Sequence, residues 1–578
     1  MTLAWKTQRL ILAAYLRPQW RTVAILALVL FGSIALQLAA PQVLRQFIDR
    51  VTAAAGGSPG DVALLFLAVA VAAQVTAAFS IYISERVSWT ATNALRADLA
   101  LHVLRLDMGF HTARSPGELV ERVDGDVTQL STFFSQLVIR IIGNGILLAA
   151  ILVLLYREDG RVGLAYTAFT LVALAALRRQ LDVAVPHWKE ARQAGAALLG
   201  FLEERLAGTE DIRSSGAVPY TLRRLIQIMR EQLRTSRRAW YLGSLMWATT
   251  VGLVALGNGL AFGFGAYLLR TGAITIGTIY LFFHYTEMLR RPLEQITRQM
   301  QELQRASASV ARISDLFALR PTAEAGDGSL PPGPLRVEFR GVTFAYESDE
   351  PVLRDLSFAL SPGQILGLLG RTGSGKTTVG RLLARLYDPA AGAIHLDGRD
   401  IREVPLADLR SRVAVVTQDV QLFHAPVRDN LTFFDRGVPD ERILAVLDDL
   451  GLRGWVARLP EGLDTILDPR ATLSAGEAQL LAFARVFFKN PGLVILDEPS
   501  SRLDPVTERL IERAVAALLR DRTGIIIAHR LDTVQRADEI MILEAGQILE
   551  SGPRAALAAD PASRFARLLR AGLEEVLA

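Results

Sequence analysis

The chain has 578 residues, too many for one ordinary core, so two or more domains are expected. Hydrophobic residues make up 51% and mean hydropathy is +0.28, high for a soluble enzyme, while a net charge of only +4 argues against a nucleic-acid-binding protein. With 0 Cys there is no disulfide, no thiolate metal site and no cysteine nucleophile.

Lys6, Arg9, Arg17 and Arg21 precede the first long apolar run without a small-residue cleavage site, which reads as a cytoplasmic leader into a membrane helix. Six apolar stretches follow, near 23–43, 62–83, 136–156, 162–177, 242–269 and 274–289, each about the length of a bilayer crossing. Short links follow the first, third and fifth stretches. Long, charged links, 84–135 and 178–241, follow the second and fourth. Arg and Lys cluster in the long links, at the N-terminus and after the sixth stretch, which assigns all of these to the cytoplasmic side. The long links have helical periodicity over 91–106, 117–134 and 189–206, so they read as extensions of the spans. Breaks at 116–119 and 208–212 mark hairpin tips expected to touch the other domain. Past Arg291-Pro292 a polar helix over 294–319 leads out of the membrane, and 323–334 is a Pro/Gly/Ala-rich linker. Strands and helices then alternate as in a soluble α/β domain. The expected domains are therefore a transmembrane domain over 1–320, a linker over 321–334 and a nucleotide-binding domain over 335–578.

Gly370-Arg371-Thr372-Gly373-Ser374-Gly375-Lys376-Thr377 is a complete P-loop. Its glycines let backbone N–H groups crowd around a triphosphate. Lys376 reaches the β/γ-phosphates, and the Thr377 hydroxyl can ligate Mg²⁺. An apolar strand over 365–369 precedes it and a helix over 378–387 is expected after it. Further on, the apolar run 493–496 ends in Asp497 and Glu498, acids at the carboxyl end of a buried parallel strand. Asp497 is placed to steer Mg²⁺ and Glu498 to orient the attacking water.

With these residues in hand, 335–578 resembles the nucleotide-binding domain of ATP-binding cassette (ABC) proteins, and 1–320 resembles the six-helix membrane domain of the exporter type. The resemblance implies an exporter-type half-transporter: an all-α transmembrane domain followed by an α/β P-loop domain, hydrolysing ATP with Mg²⁺. It implies that Tyr346 stacks on adenine and that the loop from Gly370 through Thr372, Gly373, Ser374, Gly375, Lys376, Thr377 and Thr378 binds phosphates. Gln418 is implied to contact Mg²⁺ and to communicate with the membrane domain. His529 matches the histidine that contacts the γ-phosphate, Asp504 falls in the D-loop, and Ser474-Ala475-Gly476-Glu477 sits where the LSGGQ signature belongs. Catalysis is thereby assigned to Lys376, Glu498 and His529, with Thr377, Gln418 and Asp497 at the metal.

The signature departs from the family pattern. Ala475 replaces its first Gly and Glu477 its Gln, while 468–472 lack the usual Gly-rich, acidic sequence. A Cβ at 475 crowds the close backbone approach, and Glu477 sets a negative charge beside a polyanion. In this family the signature completes the ATP site on the facing subunit. An intact P-loop with a weakened signature is thus the pattern expected of one subunit of a heterodimer; the alternative is a homodimer with a tolerated variant. The implied partners are a second half-transporter, the lipid bilayer and a hydrophobic or amphipathic substrate, such as a drug, lipid or peptide, exported from a bacterial inner membrane. A lipid flippase and an exporter-fold importer remain alternatives. Gln37, Gln74, Asn144, Asn258, His284 and Glu287 are polar residues within or bordering the spans, and such residues either serve substrate or bind helices together.

Overall fold

The structure, a computed structural model, describes residues 13–52, 59–136, 142–320, 326, 328–346, 350–418, 420–468, 473–497, 505–528 and 534–571. The chain divides into two compact units. The first comprises Met1–Leu104 and Pro116–Leu319, and the second comprises Arg105–Ser115 and Arg320–Ala578.

Among its described residues the first unit is helical throughout. Four helices are long and apolar enough to cross a membrane: Ala13–Thr52, Gly60–Arg105, Gly160–Ala207 and Val218–Arg270. The third apolar stretch falls in the helix Asn144–Glu158, and residues 137–141 before it lie outside the described residues. The sixth begins the helix Ile276–Ala318, whose apolar run is interrupted by Glu287, Arg290 and Arg291. The long links are continuous with the spans, as their periodicity suggests. The short link near 157–161 contracts to one residue: Asp159 ends one helix and caps the next, its Oδ1 accepting from the N–H groups of Arg161 (2.8 Å) and Val162 (3.3 Å).

The expected helix start after Pro292 is not seen. Pro292 lies inside Ile276–Ala318, as Pro41 and Pro186 lie inside their helices. Pro292 and Pro41 are buried, and a neighbourhood of packed helices tolerates the lost N–H; Pro186 is exposed and is not explained in this way. At the end of the bundle away from the long extensions, Asp49 accepts from Gly277 N (3.0 Å) and Thr275 Oγ1 (2.9 Å), and Arg45 pairs with Glu158 at 2.6 Å. Tyr166, Tyr285, Phe282 and Ile151 are fully buried in the core of the unit.

The second unit holds two sheets. One has the order β2-β1-β4-β5, from Val337–Phe344 (β1), Leu353–Leu360 (β2), Ala391–Leu396 (β4) and Arg399–Asp400 (β5). The other has the order β10-β9-β3-β8-β7-β6, from Ile365–Gly370 (β3), Val413–Val416 (β6), Leu493–Asp497 (β7), Thr523–Ile527 (β8), Glu539–Glu544 (β9) and Gln547–Pro553 (β10). The strands β9, β3, β8, β7 and β6 run parallel, and only β10 pairs antiparallel. Every residue of β7 and β8 is buried, which explains their unbroken apolar runs. One core, including Phe339, Leu368, Val379 and Ile495, is shared by the two sheets and the helix Lys376–Leu383; a second lies under the helices Ala475–Lys489 and Pro505–Leu519.

Candidate nucleotide site

The sheet register brings the P-loop and Asp497 to one edge. Leu368 of β3 and Asp497 of β7 both pair with Ile527 of the intervening β8, so β7 and β8 end level and β3 runs two residues beyond them, to Gly370, on the same carboxyl edge. The chain leaves β3 through Gly370, where a Cβ would lie 2.3 Å from the Leu543 carbonyl oxygen. Gly375 enters the helix Lys376–Leu383 at φ +100, and a Cβ there would lie 2.6 Å from Leu353 Cδ2. Glycine at both positions is a steric requirement. The helix is shorter than the 378–387 expected, because Arg385 adopts φ +47. Its buried guanidinium bonds to Asp388 (3.0 Å) and to the carbonyls of Ile401 and Val404 (3.3 Å each), locking the turn.

Lys376 is 5% exposed, and its Nζ donates to the carbonyls of Gly370 (2.7 Å) and Arg371 (2.9 Å). The ammonium is thereby held across the mouth of the loop. Thr377 Oγ1 lies 3.5 Å from Asp497 Oδ1, and Asp497 is buried. A hydroxyl and a carboxylate at this spacing are hard oxygen donors that fit Mg²⁺. Ser374 is buried, and its hydroxyl has no partner among the described residues.

Tyr346 is 40% exposed, enough to offer ring surface to a base. It is braced edge-on by Phe344 and Tyr387, with centroids at 4.9 and 5.1 Å. Its hydroxyl meets Thr378 Oγ1 at 3.0 Å and accepts from Arg381 at 3.1 Å, and that guanidinium lies over the ring at 5.7 Å. Arg381 was not singled out from the sequence. Its signal is the i, i+3 spacing from Thr378 on one helix face. Gln418 is exposed and follows β6 by two residues.

Ser474 caps the helix Ala475–Lys489. The Glu477 N–H donates to Ser474 Oγ (3.3 Å), and Glu477 Oε2 accepts from both Ser474 N and Ser474 Oγ, each at 2.9 Å. The acid that departs from the signature therefore closes a capping box and sits at the positive end of a helix. Gly476 is buried beside it. Glu498, Asp504 and His529 lie outside the described residues, as do 469–472; in sequence Glu498 directly follows β7 and His529 comes two residues after β8.

The hairpin tip also differs from expectation. Pro116–Val120 is a helix of the first unit, and the segment that joins the second unit is the preceding Arg105–Ser115. It carries a short helix, Met108–Thr112, capped by Asp107, and Thr112 Oγ1 lies 3.2 Å from the Tyr387 hydroxyl.

Residues 353–501 match the ABC transporter family, and residues 23–293 match the ABC transporter transmembrane region. A fatty acid ABC transporter ATP-binding/permease protein of Mycobacterium bovis is 33% identical over 503 residues, 85% of this chain and 79% of that protein. The chain belongs to the ABC transporter family. An ATP-dependent lipid A-core flippase of Syntrophus aciditrophicus is 28% identical over 546 residues, covering 93% of this chain and 90% of the relative. A bacterial Atm1-family ABC exporter solved with ATP bound superposes with a TM-score of 0.78 at 26% identity, over 95% of this chain and 98% of that one. This ABC protein is thus an exporter-type half-transporter, a helical transmembrane domain followed by an ATP-binding, ATP-hydrolysing α/β domain.

Proposed function

We propose that this half-transporter couples ATP hydrolysis to outward movement of hydrophobic or amphipathic compounds, as one half of a heterodimer whose second subunit completes its ATP site. The observation that carries the reading is the convergence of Lys376, Thr377 and Asp497 at the carboxyl edge formed by β3 and β7, in a chain that also holds a membrane unit. Phosphate oxygens would replace the Gly370 and Arg371 carbonyls as partners of Lys376, and the Ser374 hydroxyl would gain a partner that it lacks among the described residues. Mg²⁺ held by Thr377 and Asp497, with Gln418, would neutralise developing phosphate charge. Glu498 would polarise the attacking water and His529 steady the γ-phosphate, so catalysis is mainly positioning and electrostatics. Tyr346, steadied by Arg381, would stack on adenine.

The heterodimer reading is supported by the capping box. The Ser474 hydroxyl is engaged by a carboxylate of its own helix, so it faces a phosphate with its proton already committed and a negative charge alongside. The relatives named for fatty acids and lipid A-core favour lipid-like cargo among the amphiphiles. We also assign the nucleotide-binding domain to the cytoplasm and the protein to a bacterial inner membrane, as its basic long links and bacterial relatives suggest.

The test is ATP turnover of the purified chain in lipid, alone and with a distinct half-transporter encoded beside it, where one exists. Turnover that needs the second subunit, together with a gain of about fivefold in the single chain on Glu477→Gln, supports the heterodimer. High turnover of the single chain, unchanged by Glu477→Gln, overturns it in favour of a homodimer.

A further inference from the structure

A cavity of about 620 Å³ opens within the membrane unit, with walls formed by the helices Gly160–Ala207, Val218–Arg270 and Ile276–Ala318. Its volume suits one drug-sized molecule. Most of the lining is apolar, with Met246, Trp247, Val251 and Val254 along one helix. Three polar residues break that surface, and one of them, Thr250, donates its hydroxyl to the Met246 carbonyl of its own helix. Asn258 presents a buried Oδ1 that has no hydrogen-bond partner among the described residues. Arg290 lines the cavity from the helix Ile276–Ala318 and is the one charged residue of the lining among the described residues.

Depth can be read from helix rise. Asn258 lies about 18 Å from the Arg270 end of its helix, and Arg290 lies about 21 Å from the Ile276 end of its own. A hydrocarbon core is about 30 Å thick, so one that begins at these helix ends would enclose both groups, in the half nearer the long helical extensions. An ionisable side chain at such depth is costly and is kept for a reason. Part of that reason is Glu287, which accepts from Arg290 Nε at 2.8 Å. Yet Glu287 is not in the lining, so the cavity meets the cationic partner of the pair and not the acid. The Asn258 Oδ1 is an acceptor, so it calls for a donor, which the hydroxyl of a singly protonated phosphate would supply and an ionised carboxylate would not.

We infer that this cavity is a binding site for a single-chain acidic amphiphile, an alkyl carboxylate or alkyl phosphate, with Arg290 on the acid group and the Met246–Val254 face along the chain. The inference rests on the proposed transport of amphiphiles and narrows it to one charge class. A neutral alcohol of the same chain length gains the same apolar burial but lacks the charge-assisted bonds to guanidinium.

Binding is read by quenching of Trp247, which lines the cavity, with dibromostearate or dibromostearyl alcohol added to the full chain in lipid nanodiscs. Trp247→Phe serves to subtract the other tryptophans. The acid is expected to bind about tenfold more tightly than the alcohol. Arg290→Gln should abolish that preference while altering alcohol binding less than twofold, and Arg290→Lys should retain most of it. Equal affinity for acid and alcohol in the wild type overturns the inference, as does a preference that survives Arg290→Gln. Loss of the preference in both Arg290 variants also overturns it, because a charge subsite must tolerate lysine better than glutamine. The transport reading fails separately, if no ATP-dependent movement of any amphiphile is found in sealed vesicles.

Discussion

In the nucleotide-binding unit, Lys376 is almost wholly buried, yet its ammonium is held by two loop carbonyls that a phosphate would displace. In the membrane unit, Tyr166 is wholly buried and its hydroxyl is closed within the bundle, 3.2 Å from the Gly257 carbonyl and 2.6 Å from Thr286 Oγ1. The first is a polar group kept ready for a ligand; the second is one consumed by packing. Most polar membrane residues follow Tyr166. Gln37 donates to Ser33 (3.1 Å), Asn144 to Gln295 (2.6 Å), and His284 stacks on Tyr280. Asn258, Thr170 and Gln180 depart from that rule, each with a buried side-chain oxygen that has no partner among the described residues, while Arg290 is paired with Glu287 and also lines the cavity. The lesson is that burial alone does not distinguish a site from a core; the identity of the partner does.

Substitutions can break this comparison at either end. The largest effect is expected at Lys376. Lys376→Ala should lower kcat for ATP by roughly a hundredfold or more, measured as phosphate release in lipid, because the ammonium both holds the phosphates and offsets the charge that develops in transfer. Gly370→Ala comes next. Its Cβ would meet the Leu543 carbonyl at 2.3 Å, so a loss of at least about 2 kcal/mol in stability is expected by denaturant unfolding of the full chain, with weakened nucleotide binding. Tyr166→Phe should cost about 1 kcal/mol by thermal unfolding in detergent and leave the KM for ATP unchanged. A change in KM there would blur the distinction between packing and site.

The smallest effect is expected at Arg428, which clamps exposed Asp440 (2.5 Å) and Asp464 (2.7 Å). Arg428→Ala should shift Tm by no more than about 2 °C. Hydrogen bonding to Arg428 holds the Asp440 carboxyl below its ordinary range. A depressed acid stabilises the fold above its unfolded pKa and loses that contribution as pH falls through its folded value. The small Tm difference between wild type and Arg428→Ala should therefore be full near neutrality and vanish in strong acid.

The nucleotide site was legible because phosphate chemistry fixes backbone geometry, and geometry fixes residue type at Gly370, Gly375, Lys376 and Thr377. What the sequence hid was tertiary. Nothing local announces that Arg385 turns the chain through its bonds to Ile401 and Val404, or that Pro292 continues a helix. The Glu477 departure looked purely like a loss, whereas Ser474 and Glu477 satisfy each other at the start of a helix. In the membrane unit the apolar stretches placed the helices, but their polar residues could be sorted only by partner. The period of a helix says which face a residue shares, not whether the neighbouring helix brings an acceptor. The expected contact of a hairpin tip moved by a few residues, to Arg105–Ser115, because the helix over 59–105 runs on until Asp107 caps the next turn.

The claim that joins the two units is that turnover at Lys376 and Glu498 drives outward movement through the membrane helices. Sealed inside-out vesicles carrying the transporter, with its second subunit where one is required, measure it most directly through uptake of a fluorescent single-chain amphiphile. The account predicts uptake that needs ATP and disappears in Glu498→Gln while nucleotide binding persists. Uptake of equal rate in Glu498→Gln, or ATP-driven movement in the opposite direction, would contradict it.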